Sequence, residues 1–372
     1  MKERVVRRLL AEADVEVNGD RPWDIQVKDE RLYDRVCREK TLGFGEAYMD
    51  GWWDCEAIDE LITHLLLSRA DVGVGRNLRH ALRTVAWWLW NMQSRRRGHM
   101  IAERHYDLGN DLFQTFLDPF MQYSCAYFAD TDDLEQAQKN KLDMICRKLQ
   151  LGAGDHLLDI GCGWGGLALY AAREYGCRVT ANNISEAQLR FARELCADQP
   201  VEFAQCDYRE LGGTYSKIVS VGMFEHVGCR NYRAFFEVAA RCLERDGVFL
   251  LHTIGGNTSS RSQHEPWIEK YIFPNGMLPS IAQIARASEG LFVVEDLHNI
   301  GPHYDRTLMT WNRNFQQAWP TLNGTKYDAR FRRMWEYYLL SCAGTFRSRH
   351  TQVWQIVMTR AGTGTPQPSH CR

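Results

Sequence analysis

Apolar positions change period part-way along this chain. Up to about residue 92 they recur at helical spacing. Val5, Leu9 and Leu10 share one face of an opening helix, and Ile58, Leu61, Ile62, Leu65 and Leu66 line one side of another over 58–67. Between them Asp24-Ile25-Gln26-Val27 reads as a short strand, and Asp29 stands where a helix through Arg38 would take its cap. Leu134 to Leu151 aligns Leu142, Ile145 and Leu149 as an amphipathic helix. Short apolar runs then alternate with helical ones, the pattern of a doubly wound α/β sheet. Strands are expected at 156–160, 177–182, 201–206, 217–222 and 247–253, with helices at 166–175, 185–197 and 231–243. After 255 a loop runs to Pro279, then a helix near 279–289, a strand near 291–297, helices around 306–318 and 327–346, and a last strand over 352–358. The expected organisation is a smaller, mostly helical domain over 1–92, a linker over 93–104, an α/β domain over 105–362 and a frayed tail over 363–372.

The densest signal is Leu157-Leu158-Asp159-Ile160-Gly161-Cys162-Gly163-Trp164-Gly165-Gly166. A buried strand, a glycine turn and a helix N-terminus form a cradle for a nucleotide-type cofactor. A nicotinamide site wants an acid about 20 residues on. Here the next strand runs into Asn182-Asn183-Ile184-Ser185, without a carboxylate, while Asp159 ends the first strand. That arrangement points to S-adenosylmethionine, whose amino-acid part sits near such an acid. A tight turn with no ligand is a weak explanation for four glycines in six positions. The fold expected is a seven-stranded, Rossmann-like class I methyltransferase domain with the small N-terminal domain attached.

Composition narrows the partners. A formal net charge of −2 gives no field that steers the chain to nucleic acid. Twelve cysteines show neither zinc-type pairs nor a disulfide rhythm and read as reduced thiols of the cytoplasm. No apolar run reaches the ~20 residues that span a bilayer, so membrane contact would be peripheral. One stretch fits such contact. Arg76 to Arg97 carries Arg76, Arg79, Arg83, Arg95, Arg96 and Arg97, no acid, and Trp87, Trp88 and Trp90 between. Indole suits the apolar boundary and guanidinium pairs with phosphate. A core helix followed by a solvated basic turn explains it equally.

Tyr106–Phe113, Met121–Tyr127, Leu158–Gly166, Gly222–Val227, Leu251–Gly255, Tyr271–Gly276 and Ser341–Phe346 follow one another along the chain, after Leu42–Trp53 in the first domain. Together they resemble the bacterial cyclopropane-fatty-acyl-phospholipid synthases over nearly the whole length. The mycolic acid cyclopropane synthases share the second half but typically lack the first domain. One stretch departs from the family pattern. Ala181-Asn182-Asn183-Ile184-Ser185-Glu186-Ala187-Gln188 keeps Ser185 and Gln188 but displaces the glutamate by one place, which bears on the ribose and methionine contacts there.

The resemblance implies a methyl transfer from S-adenosylmethionine to a cis double bond of a phospholipid acyl chain. A carbocation results, and a base then removes a proton so that a cyclopropane closes. Water must be excluded. The implied base is a bound bicarbonate, held by Cys125, Glu225, His252, Tyr304 and the backbone of Ile254. Cys, His and Tyr can donate to an anion, and Glu225 can accept its proton. Taken singly, Cys125 and Tyr304 read as core residues. Tyr123, Tyr127, Phe224, Tyr271 and Phe273 would offer ring faces to passing positive charge. Gly161, Cys162, Gly163, Trp164 and Gly165 would admit the donor's methionine part beside Asp159, with Tyr106, Tyr123 and Ser124 closing over it. Asn183, Ser185 and Gln188 stand near, and Asp207 would meet the adenine amino group unless it is only a turn acid. Cys342, in Ser341-Cys342-Ala343-Gly344, resembles a nucleophile but reads as packing, since the methyl goes directly to the alkene. The resemblance also implies a homodimer at the inner face of the membrane. Two other functions fit less well: a C-methyltransferase making a methyl-branched or methylene product, and a membrane-surface module without activity.

Overall fold

A computed structural model of the chain describes residues 1–68, 109–259, 265–322 and 324–364. It divides into two compact units that interleave along the sequence. The first is Met1–Trp90, Ser262–Pro274 and Tyr304–Thr351, and the second is Asn91–Arg261, Asn275–His303 and Gln352–Arg372. The expected domains were contiguous. They differ because two late segments pack with the N-terminal one: Trp267, fully buried, donates from Nε1 to Met49 Sδ at 3.3 Å. The basic, tryptophan-rich stretch 76–97 and Tyr106 lie outside the described residues.

In the first unit the opening helix, Lys2–Glu12, buries Val6 and Leu10, while Val5, expected inside, is 41% exposed. A helix at Arg31–Glu39 follows Asp29, whose Oδ1 accepts Arg31 N at 2.9 Å. The helix Thr41–Met49 was not anticipated, because Gly43 and Gly45 break its apolar rhythm. Gly45 is needed where it stands, since a Cβ there would lie 2.6 Å from the Trp267 ring. Strands β1 (Gln26–Val27) and β2 (Trp53–Asp54) pair antiparallel, and Ile58–Leu67 is helical as expected. The segment read as a loop up to Pro279 contains a helix, Pro266–Tyr271, capped by the Glu265 carboxylate. Pro302–Ala318 and Ala329–Arg347 are the long late helices.

The second unit is built on a seven-stranded sheet: β3 (His156–Ile160), β4 (Arg178–Asn183), β5 (Val201–Gln205), β6 (Tyr215–Val221), β7 (Leu243–Gly256), β8 (Phe292–Asn299) and β9 (Thr351–Arg360). Their order is β5-β4-β3-β6-β7-β9-β8. The pairs from β5 through to β7 are parallel, and β8 pairs antiparallel with β9. Both faces are covered, which is why the strands read as near-continuous apolar runs. Leu158, Ile160, Ile218, Phe249 and Leu251 pack with the helix Tyr232–Cys242 on one face. Leu157, Val179, Val219, Val248 and Leu250 pack with the helices Leu134–Leu149 and Gly166–Tyr175 on the other. Side chains alternate along a strand, so Asp159 and His252 belong to this second face. The sheet is that of a class I methyltransferase.

Candidate active site

Strand order reverses between β3 and β6, with β4 and β5 on one side and β7 on the other. Loops leaving the carboxyl ends of these two strands diverge, and open α/β sheets bind ligands in that crevice. The loop after β3 is the glycine turn, with Gly161, Gly163 and Gly165 at φ of +85°, +55° and +82°. At Gly166 a Cβ would fall 1.8 Å from the Phe120 carbonyl, so only glycine lets the segment around Phe120 pass the helix start. Nothing lies within 4 Å of a Cβ built on Gly163, which leaves open space at the tip of the turn.

Hydrogen bonds from β4 hold the turn. The Asn182 carbonyl accepts Gly161 N at 3.0 Å and Cys162 N at 2.9 Å. Asn183 Nδ2 donates to Gly163 O at 3.2 Å and to Gln188 Oε1 at 2.8 Å. Ser185 Oγ accepts Gln188 N at 3.3 Å and caps the helix Glu186–Leu195. In the stretch that departs from the family pattern, these three side chains therefore shape the turn. Trp164 Nε1 donates to Asn110 Oδ1 at 2.9 Å, and the Trp164 and Tyr123 rings both lie against Phe113, at 4.9 and 5.1 Å. Asp207 accepts Arg209 N at 3.0 Å and grips the Arg209 guanidinium at 2.7 and 2.6 Å, the turn-acid role.

Asp159 is buried, and its Oδ2 has no hydrogen-bond partner. Burial, opposed by the Lys141 charge, pushes its pKa up to about 7. An orphaned buried carboxylate oxygen beside a glycine turn fits the ammonium of the donor's amino-acid part. The Cys162 thiol is pushed well above the ordinary range by burial and by Asp159, so it stays protonated.

On the β6 and β7 side, Glu225 is buried. Its Oε1 accepts Ile254 N at 2.6 Å, and its Oε2 has no partner. Burial pushes the Glu225 carboxyl up to about 7. The Ile254 N–H, expected to face an anion, is taken by this carboxylate, because a buried acid claims the nearest donor. His252 is pushed well below the ordinary range by burial, with Lys141 and Lys148 adding to it, so its ring is neutral. Gln355 Nε2 stands 3.4 Å from His252 Nδ1; donation along that line places the ring proton on Nε2. Cys125 is fully buried, its Sγ 3.3 Å from Ala126 O and 3.8 Å from Ile300 O.

Other expected residues fall elsewhere. Tyr304 belongs to the first unit, its ring 4.6 Å from Phe346 and 5.9 Å from Trp311. Phe224 is enclosed in the core, 4.4 Å from Tyr232 and 5.0 Å from Phe235. Tyr271 is also in the first unit, its hydroxyl on Glu46 Oε1 at 2.8 Å. Burial and the nearby Glu265 push the Cys342 thiol up to about 12, which leaves no thiolate for a nucleophile. Gln138 and Lys141, both fully buried, were missed. Their signal was present: they sit at core-facing spacing between Leu134 and Ile145 in an otherwise apolar stripe.

Known proteins place this geometry. Residues 93–356 match the family described as mycolic acid cyclopropane synthetase. The chain belongs to this family. It is 49% identical to the cyclopropane-fatty-acyl-phospholipid synthase of Escherichia coli strain K12, over 96% of this chain and 93% of that one. It is 35% identical to the tuberculostearic acid methyltransferase UfaA1 of Mycobacterium tuberculosis, over 90% and 82%. Among solved structures, the mycolic acid cyclopropane synthase CmaA1 complexed with SAH and CTAB superposes with a TM-score of 0.63 at 33% identity, covering 70% of this chain and 97% of that one. As a family member it is an S-adenosylmethionine-dependent methyltransferase. Among the described residues no helix is long and apolar enough to cross a membrane.

Proposed function

We propose that this enzyme adds a methylene across the cis double bond of unsaturated phospholipid acyl chains, forming cyclopropane fatty acids. The observation that carries the reading is the Glu225 carboxylate, unpartnered at one oxygen and anchored through the other to Ile254 N of β7, two residues beyond the neutral His252. Likeness to the E. coli synthase along almost the full length supports the substrate class.

S-adenosylmethionine supplies an electrophilic methyl on its sulfonium. Asp159 binds the donor's ammonium, the backbone of Gly161–Gly165 admits its methionine part, and Tyr123 and Ser124 close over it. Asn183, Ser185 and Gln188 act by shaping the turn, and Asp207 with Arg209 borders the adenine end. The alkene's π pair forms the new carbon–carbon bond as the carbon–sulfur bond breaks, leaving a cation on the acyl chain. Loss of a proton from the added methyl lets that C–H pair close the ring. Cys125 and His252 would donate to a bicarbonate, which would supply the base, and Ile254 N orients Glu225 to receive its proton. Burial of Glu225 and His252 keeps out the water that would trap the cation as an alcohol. The first unit and the basic, tryptophan-rich stretch 76–97 bring the enzyme to the inner face of the membrane as a peripheral homodimer.

The deciding experiment is incubation of pure protein with vesicles of unsaturated phospholipid and methyl-labelled donor. Gain of one CH2 with loss of the double bond is expected. A methyl-branched or methylene lipid would favour the second reading, which has support from the likeness to a tuberculostearic acid methyltransferase. No labelled lipid would refute both. Bicarbonate dependence of the rate tests the base, and sedimentation with and without vesicles tests the dimer and the membrane contact.

A further inference from the structure

Residues Gln122 and Ser124 are held from one side by the helix Leu134–Leu149. Gln138 Nε2 donates to the Gln122 carbonyl at 3.3 Å and to the Ser124 carbonyl at 3.0 Å. One turn on, Lys141 Nζ donates to Gln122 Oε1 at 2.6 Å and to Ser124 Oγ at 3.0 Å. Main chain and side chain of both residues are thus gripped by two side chains three apart on one helix face. Gln122 carries the grip onward. Its Nε2 donates to Phe120 O at 3.1 Å, and a Cβ on Gly166 would come within 2.6 Å of that nitrogen. Asp118 holds the same segment from its other end, accepting Phe120 N and Gln122 N, each at 2.9 Å.

This helix covers the sheet face that carries Asp159 and His252. Lys141 is fully buried. A buried ammonium is costly unless nearby groups compensate it, and the acceptors Gln122 Oε1 and Ser124 Oγ are neutral. Its compensation is electrostatic: Asp118, Cys125 and Asp159 each favour its charged form, while burial lowers its pKa to about 8. Lys141 in turn is the one charge that opposes the burial of Asp159 among the described residues. The thiols near Asp159, those of Cys146, Cys162 and Cys196, are all raised and neutral.

We infer that Lys141 is a positioning residue for the methyl-donor site: it holds Ser124 and seats Gln122 against Gly166, where the glycine turn enters its helix, and holds the Asp159 carboxylate ionised to receive the donor's ammonium. The inference rests on the reading of Asp159 as the donor's acid. Replacing a cation by an apolar side chain of similar length removes the charge that offsets burial, so Asp159 then ionises only at higher pH. The loss in donor affinity is therefore pH-dependent, which a purely structural role would not produce.

The test is titration of S-adenosylhomocysteine into the full-length protein between pH 6 and pH 9, for wild type, Lys141→Met, Lys141→Arg and Asp159→Asn. Wild-type affinity is expected to rise as Asp159 ionises through about pH 7. Lys141→Met should bind about 5–10-fold more weakly at pH 7, as a one-unit rise in the Asp159 pKa requires. The deficit should shrink toward pH 9, where Lys141 itself has lost its proton, leaving only the part due to the lost grip on Gln122 and Ser124. Lys141→Arg should keep the wild-type midpoint. An equal loss at every pH, or an unchanged profile in Lys141→Met, overturns the inference. If Lys141→Met does not fold, a shifted midpoint in Lys141→Arg overturns it instead. Asp159→Asn separates the two readings: wild-type binding in that variant means Asp159 is not the donor's acid, whatever Lys141 does.

Discussion

In the first unit Glu46 is buried and saturated. Lys270 Nζ reaches it at 2.5 Å and the Tyr271 hydroxyl at 2.8 Å, and Arg35 pairs with its other oxygen. Burial raises its pKa, but Lys270, Tyr271 and Arg35 together outweigh burial and hold it below the ordinary range. Arg347 is likewise shared between Asp305, at 2.9 Å through two nitrogens, and Asp59 at 2.5 Å. In the second unit Asp118 and Asp207 are paired, but two other buried acids are left short. Asp159 and Glu225 each have one oxygen without a partner, and both are pushed up to about 7. The same chain thus pairs Glu46 fully in one unit and withholds a partner from Asp159 and Glu225 in the other. Unsatisfied buried acids cost stability, and a ligand's proton or charge would satisfy them.

The largest effect expected from this contrast is on turnover. Glu225→Gln keeps an oxygen for Ile254 N but cannot accept a proton, so turnover should fall about 10²–10⁴-fold. S-adenosylhomocysteine affinity, measured by titration calorimetry, should stay near wild type; equal loss of both would make Glu225 structural. Stability should move the other way. The carboxyl is raised, so its favourable contribution to folding is full below its ordinary value and is lost as pH rises through about 7. Above that pH, Glu225→Gln should raise the free energy of unfolding by roughly 3 kcal/mol at the usual cost per pKa unit. Urea melts at pH 8 and pH 5 check this, with the gain expected only at pH 8.

Glu46→Gln should reverse the pattern, losing about 1–3 kcal/mol of stability with turnover per folded molecule intact. Here the acid is depressed, so its contribution is present above its ordinary value and is lost as pH falls. The variant's deficit in melts should therefore shrink toward acid. The smallest effect belongs to Cys342→Ala, whose thiol is held protonated: turnover within about two-fold of wild type, as the proposed direct transfer to the alkene requires. A loss of more than tenfold would return Cys342 to the mechanism. Deleting residues 1–92 is a poorer tool than the sequence implied, because Trp267 and the late helices of the first unit would lose their N-terminal partners.

Much of the second unit was legible. β3 and the helix Gly166–Tyr175 fall at the expected residues, because both faces of the sheet are covered and apolar runs have nowhere else to go. The first unit was less so. Thr41–Met49 hides behind two glycines needed for close packing, and Pro266–Tyr271 is short and capped by a side chain rather than announced by periodicity. Within the site, the glycine turn and Asp159 could be read from local spacing, since strand, turn and helix are contiguous there.

The chain's letters alone determined the family, the glycine turn and the acid that precedes it, because these are short-range patterns of residue type. Only the tertiary structure decided which buried acids go unsatisfied. Hydrogen-bond partners come from elements far apart in sequence: Ile254 for Glu225, Gln355 for His252, and Lys141 acting on Asp159 from a helix on the sheet's covered face. Burial and pairing are set by packing across the sheet, which no single stretch of sequence contains.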